Sequence, residues 1–432
     1  MIILAEIKPF RALRFCTEKA GSIEKLTCPP YDIISPEQRQ QYLDTNPYNI
    51  VRLELPVGEH PYEEAGEILR NWEAEGILRQ DTEPALYIYE EEFSAYGQKK
   101  SFKGFICRVK AEDFSKGVVL PHENTLSKAK ADRFELMKAT GCNFSQIYSL
   151  YMDDEHTTLA RIERLSKGKP NAELNDGEVI HRLWIVNDPV AIAAICDDFK
   201  DRKLYIADGH HRYETALNFR NYCHETGRYT ETGDCDYAMM MLVDMQHDGL
   251  VVFPTHRLIH DLPDFDKETV LNSCRKEFEI HEMPRLSDLS AALDALFRQG
   301  KKAFAFYCGG DSWTLLVLRD LSVMDQVLSE ECPAVRSLDV SVLHSLILER
   351  AFGIDKENMA NQKNLSYTRS FDEAVDAVRS GTAQAAFFLN PTRITEIRDV
   401  AAAGGKMPQK STYFYPKLIT GLVMNQMTET DA

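Results

Sequence analysis

Five consecutive residues, Asp208, Gly209, His210, His211 and Arg212, follow directly on the apolar run 204–207. A buried strand that passes through glycine into a helix leaves the first helical N–H groups without intrahelical partners, and the helix dipole adds partial positive charge there. Such a junction receives phosphate. Gly209 lets the backbone come close to a ligand. Arg212 offers a planar fork for a phosphate, and His210 and His211 can donate hydrogen bonds or move a proton. Asp208 could hold Mg2+ or orient a histidine. A plainer reading makes Asp208 a helix cap, which leaves both histidines and Arg212 unexplained. Adjacent side chains on a helix diverge, so His210 and His211 are not read as a metal pair.

Four further segments carry chemistry. His122 and Glu123 follow an apolar stretch, with Asn124, Thr125, Lys128, Lys130, Asp132 and Arg133 behind them. Glu123 could take a proton from a hydroxyl or carry Mg2+ beside a phosphate; the plainer alternative is a polar turn with solvated lysines. Pro254, Thr255, His256 and Arg257 close another strand-like run. The tail sets Lys406, Lys410 and Lys417 around Ser411 and Thr412 among aromatics, a basic cluster in a chain of net charge −17. It reads as an anion site, or else as an aromatic clamp with solvated lysines. Cys28, Pro29, Pro30, Tyr31 and Asp32 precede the run 49–54, where Arg52 and Glu54 are read as sharing one face of a strand. Most of these segments sit at strand ends, whose loops commonly meet at one site. P-loop, Rossmann and nucleophile-elbow signatures are absent from the sequence.

The elements that must position these residues are short and mixed. The length of 432 residues predicts two or three domains. With 44% hydrophobic and 27% charged residues, the chain reads as globular. Fifty Lys and Arg against 67 Asp and Glu argue against non-specific nucleic-acid binding, which basic residues drive, unless one face is locally basic. The N-terminal apolar run is too short for a signal peptide, and no run of 18 apolar residues suggests a membrane span. Ten cysteines without a CxxC read as free thiols of a cytoplasmic protein. Strands are predicted at 2–7, 85–89, 103–109, 182–186, 203–207, 238–243, 250–253, 303–308, 312–318 and 385–389. Helices are predicted from Pro36, capped by Ser35, and over 62–78, 189–199, 213–223, 264–278, 286–297 and 340–352, the last capped by Asp339 or Ser337. Strands and helices alternate without a strict βαβ rhythm, which favours α+β.

Taken together, residues 9–11, 29–32, 121–123, 207–216, 254–257 and 407–417 resemble domain-of-unknown-function family 1015 over nearly the whole chain, about residues 7–423. Within them, Asp208 to Arg212 resembles the DGHHR-type motif of the ParB/sulfiredoxin fold, whose members include DNA-partition CTPases, sulfiredoxins and free-serine kinases. The resemblance implies a ParB/sulfiredoxin-like nucleotide-binding core with large insertions over 1–258, its phosphate loop at 207–216. A C-terminal α+β region would follow at 259–400, and a basic, aromatic tail at 401–432 would return to the site. Gly209, His210, His211 and Arg212 would bind phosphate, and Asp208 would meet a metal or the substrate.

The resulting expectation is a Mg2+-dependent phosphotransferase. It would act between ATP, ADP or pyrophosphate and a small hydroxyl compound such as free L-serine or phosphoserine, and it allows a homodimer. Glu54, His122, Glu123 and His210 are the catalytic candidates, with Glu54 or Glu123 as the base. Asp208, Gly209, His210, His211, Arg212, His256, Arg257, Lys410, Ser411, Thr412 and Lys417 are candidate nucleotide contacts, and Asp208 and Glu123 candidate metal ligands. One alternative is a ParB-like regulatory or DNA-binding protein that binds nucleotide without turnover. The net charge opposes it, as does the lack of a basic-framed helix-turn-helix. A sulfiredoxin-like repair enzyme would need a reactive cysteine where this chain has His210 and His211.

Overall fold

Two stretches of alternating apolar residues, Leu86–Ala95 and Gln98–Lys110, form a long antiparallel hairpin at the centre of a large mixed sheet. Its turn is Tyr96 and Gly97, both at positive φ. The computed structural model describes residues 5–428, Asn124, Leu126 and the side chains of residues 127–129 excepted. Asn124, the side chain of Lys128 and residues 2–4 of the first predicted strand therefore lie outside the described residues.

The described residues form two compact units, one of residues 5–121, 125–251 and 416–428, the other of residues 122–123 and 252–415. In the first, the sheet runs in the order Val119–Leu120, Leu204–Asp208, Ile147–Tyr151, Tyr237–Asp244, Gln98–Lys110, Leu86–Ala95, Val179–Val186, Ala172–Asn175, with Ile7–Lys8 pairing on Gln98–Lys110. Tyr237–Asp244 pairs parallel to Ile147–Tyr151, whereas Leu204–Asp208 runs antiparallel to it. Leu204 and Ile206 point to one face with Ala238, Met240 and Leu242, and the helix His210–Thr226 covers them with Tyr213, Ala216 and Leu217. The period-2 pattern of the strands thus meets the period-3.6 pattern of the helix that carries the histidine-rich motif.

The second unit is built on an antiparallel sheet in the order Phe278–Met283, Trp313–Leu318, Ala303–Tyr307, Ala385–Phe388, His256–Ile259, Leu365–Thr368. Both faces are covered. Phe304, Phe306 and Phe387 pack into one core with Val342, Leu343 and Ile347. Ala305, Tyr307 and Phe388 pack into another with Leu293, Val375 and Val378. The chain is therefore α+β, with a large mixed sheet and several smaller sheets. No helix among the described residues is long and apolar enough to cross a membrane, and the ten cysteines are free thiols.

Three local expectations need correction. Residues Val51–Glu54 form a helix, not a strand. Asn49 sets it: its Oδ1 accepts from Val51 N at 2.9 Å and its Nδ2 donates to the carbonyls of Lys25 and Thr27, a local bend that the β-branched Ile50 and Val51 do not announce. The helix Pro61–Ala74 stops before 78 because Gly76 turns at φ 68°. The segment 339–352 has Leu338 at its cap position with no side-chain cap bond, and Leu343–Glu349 within it is a π-helix. Ser35, in contrast, caps Pro36–Thr45 through a reciprocal bond with Gln38.

Candidate functional site

Asp208 ends its strand at a register shift against Ile147–Tyr151, and Gly209, at φ 93°, turns the chain into the helix His210–Thr226. No side chain caps that helix. Asp208 faces cations instead. Its Oδ2 accepts from Arg212 Nη2 at 2.7 Å, and its Oδ1 accepts from Lys417 Nζ. Arg212 also donates through Nη1 to the Gln146 carbonyl at 2.5 Å. Burial alone would raise the Asp208 carboxyl, but the charges of Lys417 and Arg212 overrule it and hold it well below the usual carboxylate range. A Cβ on residue 209 would stand 2.9–3.0 Å from the Arg212 guanidinium, so glycine serves both the turn and the fold-back of that arginine. His210 is buried and His211 partly exposed at the start of the helix.

Glu54 and Arg212 line one cavity of about 50 Å³, together with Arg133, Ser145 and Thr215. The buried Glu54 carboxylate accepts from Ser145 Oγ at 2.9 Å and lies 3.9 Å from Arg133 Nη1. The same Nη1 donates to the Glu54 carbonyl at 2.6 Å, and the Arg133 guanidinium sits 4.2 Å from the centre of the Tyr31 ring. Burial pushes the Glu54 carboxyl up despite Arg133 and Ser145. Burial, then the charge of Asp32, pushes the Tyr31 hydroxyl up to about 12. The Cys28 thiol is raised by burial and by Glu54. A carboxylate raised toward the working pH and pinned by a hydroxyl suits a proton acceptor. Arg133, Ser145 and Gln146 were not among the predicted site residues. Arg133 had at least a neighbouring motif to mark it; Ser145 and Gln146 carry no sequence signal at all.

The other predicted residues belong to the second unit. His122 Nε2 lies 3.1 Å from Thr412 Oγ1, and the His122 carbonyl accepts from Met407 N. Glu123 Oε1 accepts from the backbone N–H of Lys410 at 3.0 Å, where Lys410 turns at φ 57°. Ser411 Oγ donates to the Pro408 carbonyl. Arg257 is 1% exposed. It donates to the Thr255 carbonyl, to the Lys410 carbonyl at 3.2 Å and to His344 Nε2 at 3.2 Å. Burial, then the Arg257 charge, pushes His256 down to about 4. Burial also pulls Arg257 itself down to about 10. The predicted residues thus fall into two groups: Glu54, Asp208, Gly209, His210, His211, Arg212 and Lys417 in the first unit, and His122, Glu123, His256, Arg257, Lys410, Ser411 and Thr412 in the second.

No curated protein matches the chain. Among solved structures it is similar to a free serine kinase in complex with AMP, at 14% identity over 72% of this chain and 88% of that one, with a TM-score of 0.37. A conserved hypothetical protein from Pyrococcus furiosus is 14% identical over 72% and 93% of the two chains, with a TM-score of 0.35. SbnI from Staphylococcus aureus, truncated at its C-terminus, is 11% identical over 74% and 86%, with a TM-score of 0.35. Likenesses at this level add nothing to the chemistry read from the residues. The family model described as Protein of unknown function (DUF1015) matches residues 7–341, which takes in the motifs at 9–11, 29–32, 121–123, 207–216 and 254–257 and stops short of the tail. On that match, the chain belongs to the DUF1015 family.

Proposed function

We propose that the first unit carries a phosphotransferase site acting between a nucleotide and a small hydroxyl compound, free L-serine or phosphoserine foremost. On this reading residues 207–216 are the phosphate loop of a ParB/sulfiredoxin-like core. One observation carries it: the raised carboxylate of Glu54 and the phosphate-type guanidinium of Arg212 line the same small cavity.

Arg212, Lys417 and the start of the helix His210–Thr226 meet the phosphate, whose charge takes over part of the role Asp208 plays toward the two cations. Glu54 accepts the proton of the substrate hydroxyl as its oxygen bonds to phosphorus, and the bond from phosphorus to the departing nucleotide oxygen breaks. Ser145 and Arg133 hold the Glu54 carboxylate in place meanwhile. The cavity's size admits only a few atoms beside Glu54, which suits a short hydroxyl chain. Asp208 offers Mg2+ no open oxygen while Lys417 and Arg212 both donate to it. Glu123 accepts the Lys410 N–H in the other unit. On this reading the cations of the chain itself carry part of the charge neutralisation that phosphoryl transfer needs.

The test is a coupled assay offering ATP, ADP or pyrophosphate with L-serine and a panel of small alcohols. Glu54→Gln is expected to lower kcat about 100-fold or more with nucleotide affinity retained, and Arg212→Ala to weaken nucleotide binding. Nucleotide binding without turnover above the Glu54→Gln background, for every pair offered, would overturn the enzyme reading in favour of a regulatory nucleotide binder.

A further inference from the structure

The second unit holds a cavity of about 210 Å³, smaller than the roughly 300–1,000 Å³ of pockets for drug-sized ligands. Ser341, His344 and Ser345 line it from the segment in which the helix Asp339–Val342 passes into the π-helix Leu343–Glu349. A π-helix admits an extra residue per turn and recurs at functional sites. Leu343, Leu346 and Ile347 of this stretch anchor the core, while Ser341, His344 and Ser345 line the cavity.

Two buried polar residues line this cavity, and the hydroxyl of one of them is unmet. Ser341 is 1% exposed, and its Oγ has no hydrogen-bond partner. An unmet hydroxyl in that position is costly unless something in the cavity accepts from it. His344 is also buried, and its Nε2 takes the Arg257 Nη2 bond. Burial and the Arg257 charge keep the imidazole neutral, so its one proton sits on Nδ1, a donor. Behind it, Arg257 is fully buried among carbonyls and this imidazole, and its Nε has no partner. Neutral dipoles alone answer that cation, so the wall of the cavity it backs is positive. The rest of the lining is mixed: Glu331 and Glu349 bring negative charge, Lys356 and Lys406 positive.

We propose that this cavity binds a small zwitterion of the amino-acid type, its carboxylate on the Ser341 hydroxyl and the His344 N–H, its ammonium toward Glu331 and Glu349. The two glutamates and two lysines of the lining cancel, which favours a ligand of no net charge over a dianion such as phosphate, and the neutral donors with the guanidinium behind them oppose a plain amine. The site is separate from the proposed phosphotransferase cavity, whose residues all belong to the first unit.

Isothermal titration of the full chain with L-alanine and L-glutamate, and with succinate, methylamine and inorganic phosphate for comparison, tests this. At least one amino acid is expected to bind one per chain at roughly 1 mM or tighter. Ser341→Ala and His344→Gln should each weaken it about tenfold. Ser341→Ala removes only a hydroxyl and keeps the test open should His344→Gln disturb the fold. Glu54→Gln and Arg212→Ala should leave this binding unchanged, which separates its fate from that of the phosphotransferase reading. The proposal falls if no amino acid binds at roughly 10 mM, if Ser341→Ala and His344→Gln both bind as wild type, or if phosphate or methylamine binds more tightly than every amino acid.

Discussion

Asp208 and His181 show how single ionisable groups are tuned by what surrounds them. Asp208 is a carboxylate between two cations, so it stays ionised far below the usual range. Its contribution to stability is present above that range and is lost only on strong acidification. His181 is the opposite case. It is 1% exposed on the strand Val179–Val186, with Asp176 Oδ2 3.1 Å from Nε2 and the Tyr89 hydroxyl 2.6 Å from Nδ1. Burial would lower its pKa, but hydrogen bonds to the carboxylates of Asp176 and Glu91 reverse that and raise it from 6.5 to about 9. A folded-state pKa above the unfolded one means stability that is complete below the unfolded value and disappears as pH rises through the folded value. The unfolding free energy from urea titration should therefore fall between pH 6.5 and pH 9 and a little beyond, by an amount on the order of 3 kcal/mol. His181→Asn should flatten that slope. A wild-type profile that stays level through pH 9 would show that the imidazole is not charged between Asp176 and Glu91.

At the scale of elements, the turn at Gly209 is the most exposed to test. Alanine there must adopt a positive φ of 93° and must push the Arg212 guanidinium away from its fold-back. The backbone alone costs about 1–2 kcal/mol, read as a lower urea midpoint. The displaced Arg212 adds a loss of nucleotide affinity that outlasts correction for stability. If Gly209→Ala kept both, the glycine would be an ordinary turn. This strand–glycine–helix junction was legible because an apolar run, a glycine and a helical period occur in immediate succession. Val51–Glu54 was not, because Ile50 and Val51 favour strands locally while Asn49, reaching back to Lys25 and Thr27, bends the chain. The π-helix was also hidden: the apolar spacing of 340–352 fits a regular helix, and no residue in it marks the extra residue per turn.

Over the whole molecule, the pairing that sequence spacing does not reveal is the return of the C-terminal segment. Leu13 bridges Met424, Cys28 bridges Thr420, and Asn143 pairs with Asn425, which brings Lys417 to Asp208 across 209 positions. No local pattern encodes a contact of that range, so Lys417 could be suspected only from the unexpected basicity of the tail. The same return makes 252–415 an insertion in the first unit, with edges at 251/252 and 415/416, where the sequence reading placed divisions at 258 and 400. Each unit has hydrophobic clusters of its own, so unfolding need not be a single step. Trp72 and Trp184 belong to the first unit and Trp313 to the second, so fluorescence of Trp313→Phe follows the first unit alone. ADP or ATP at about 100 times its dissociation constant should stabilise the unit that binds it by about 2.7 kcal/mol. The expected result is that nucleotide raises the transition seen in Trp313→Phe, and that an amino acid raises the other calorimetric transition. Nucleotide acting on the second transition instead would move the phosphate site out of the 207–216 junction, and the assignment of Glu54 as proton acceptor would go with it.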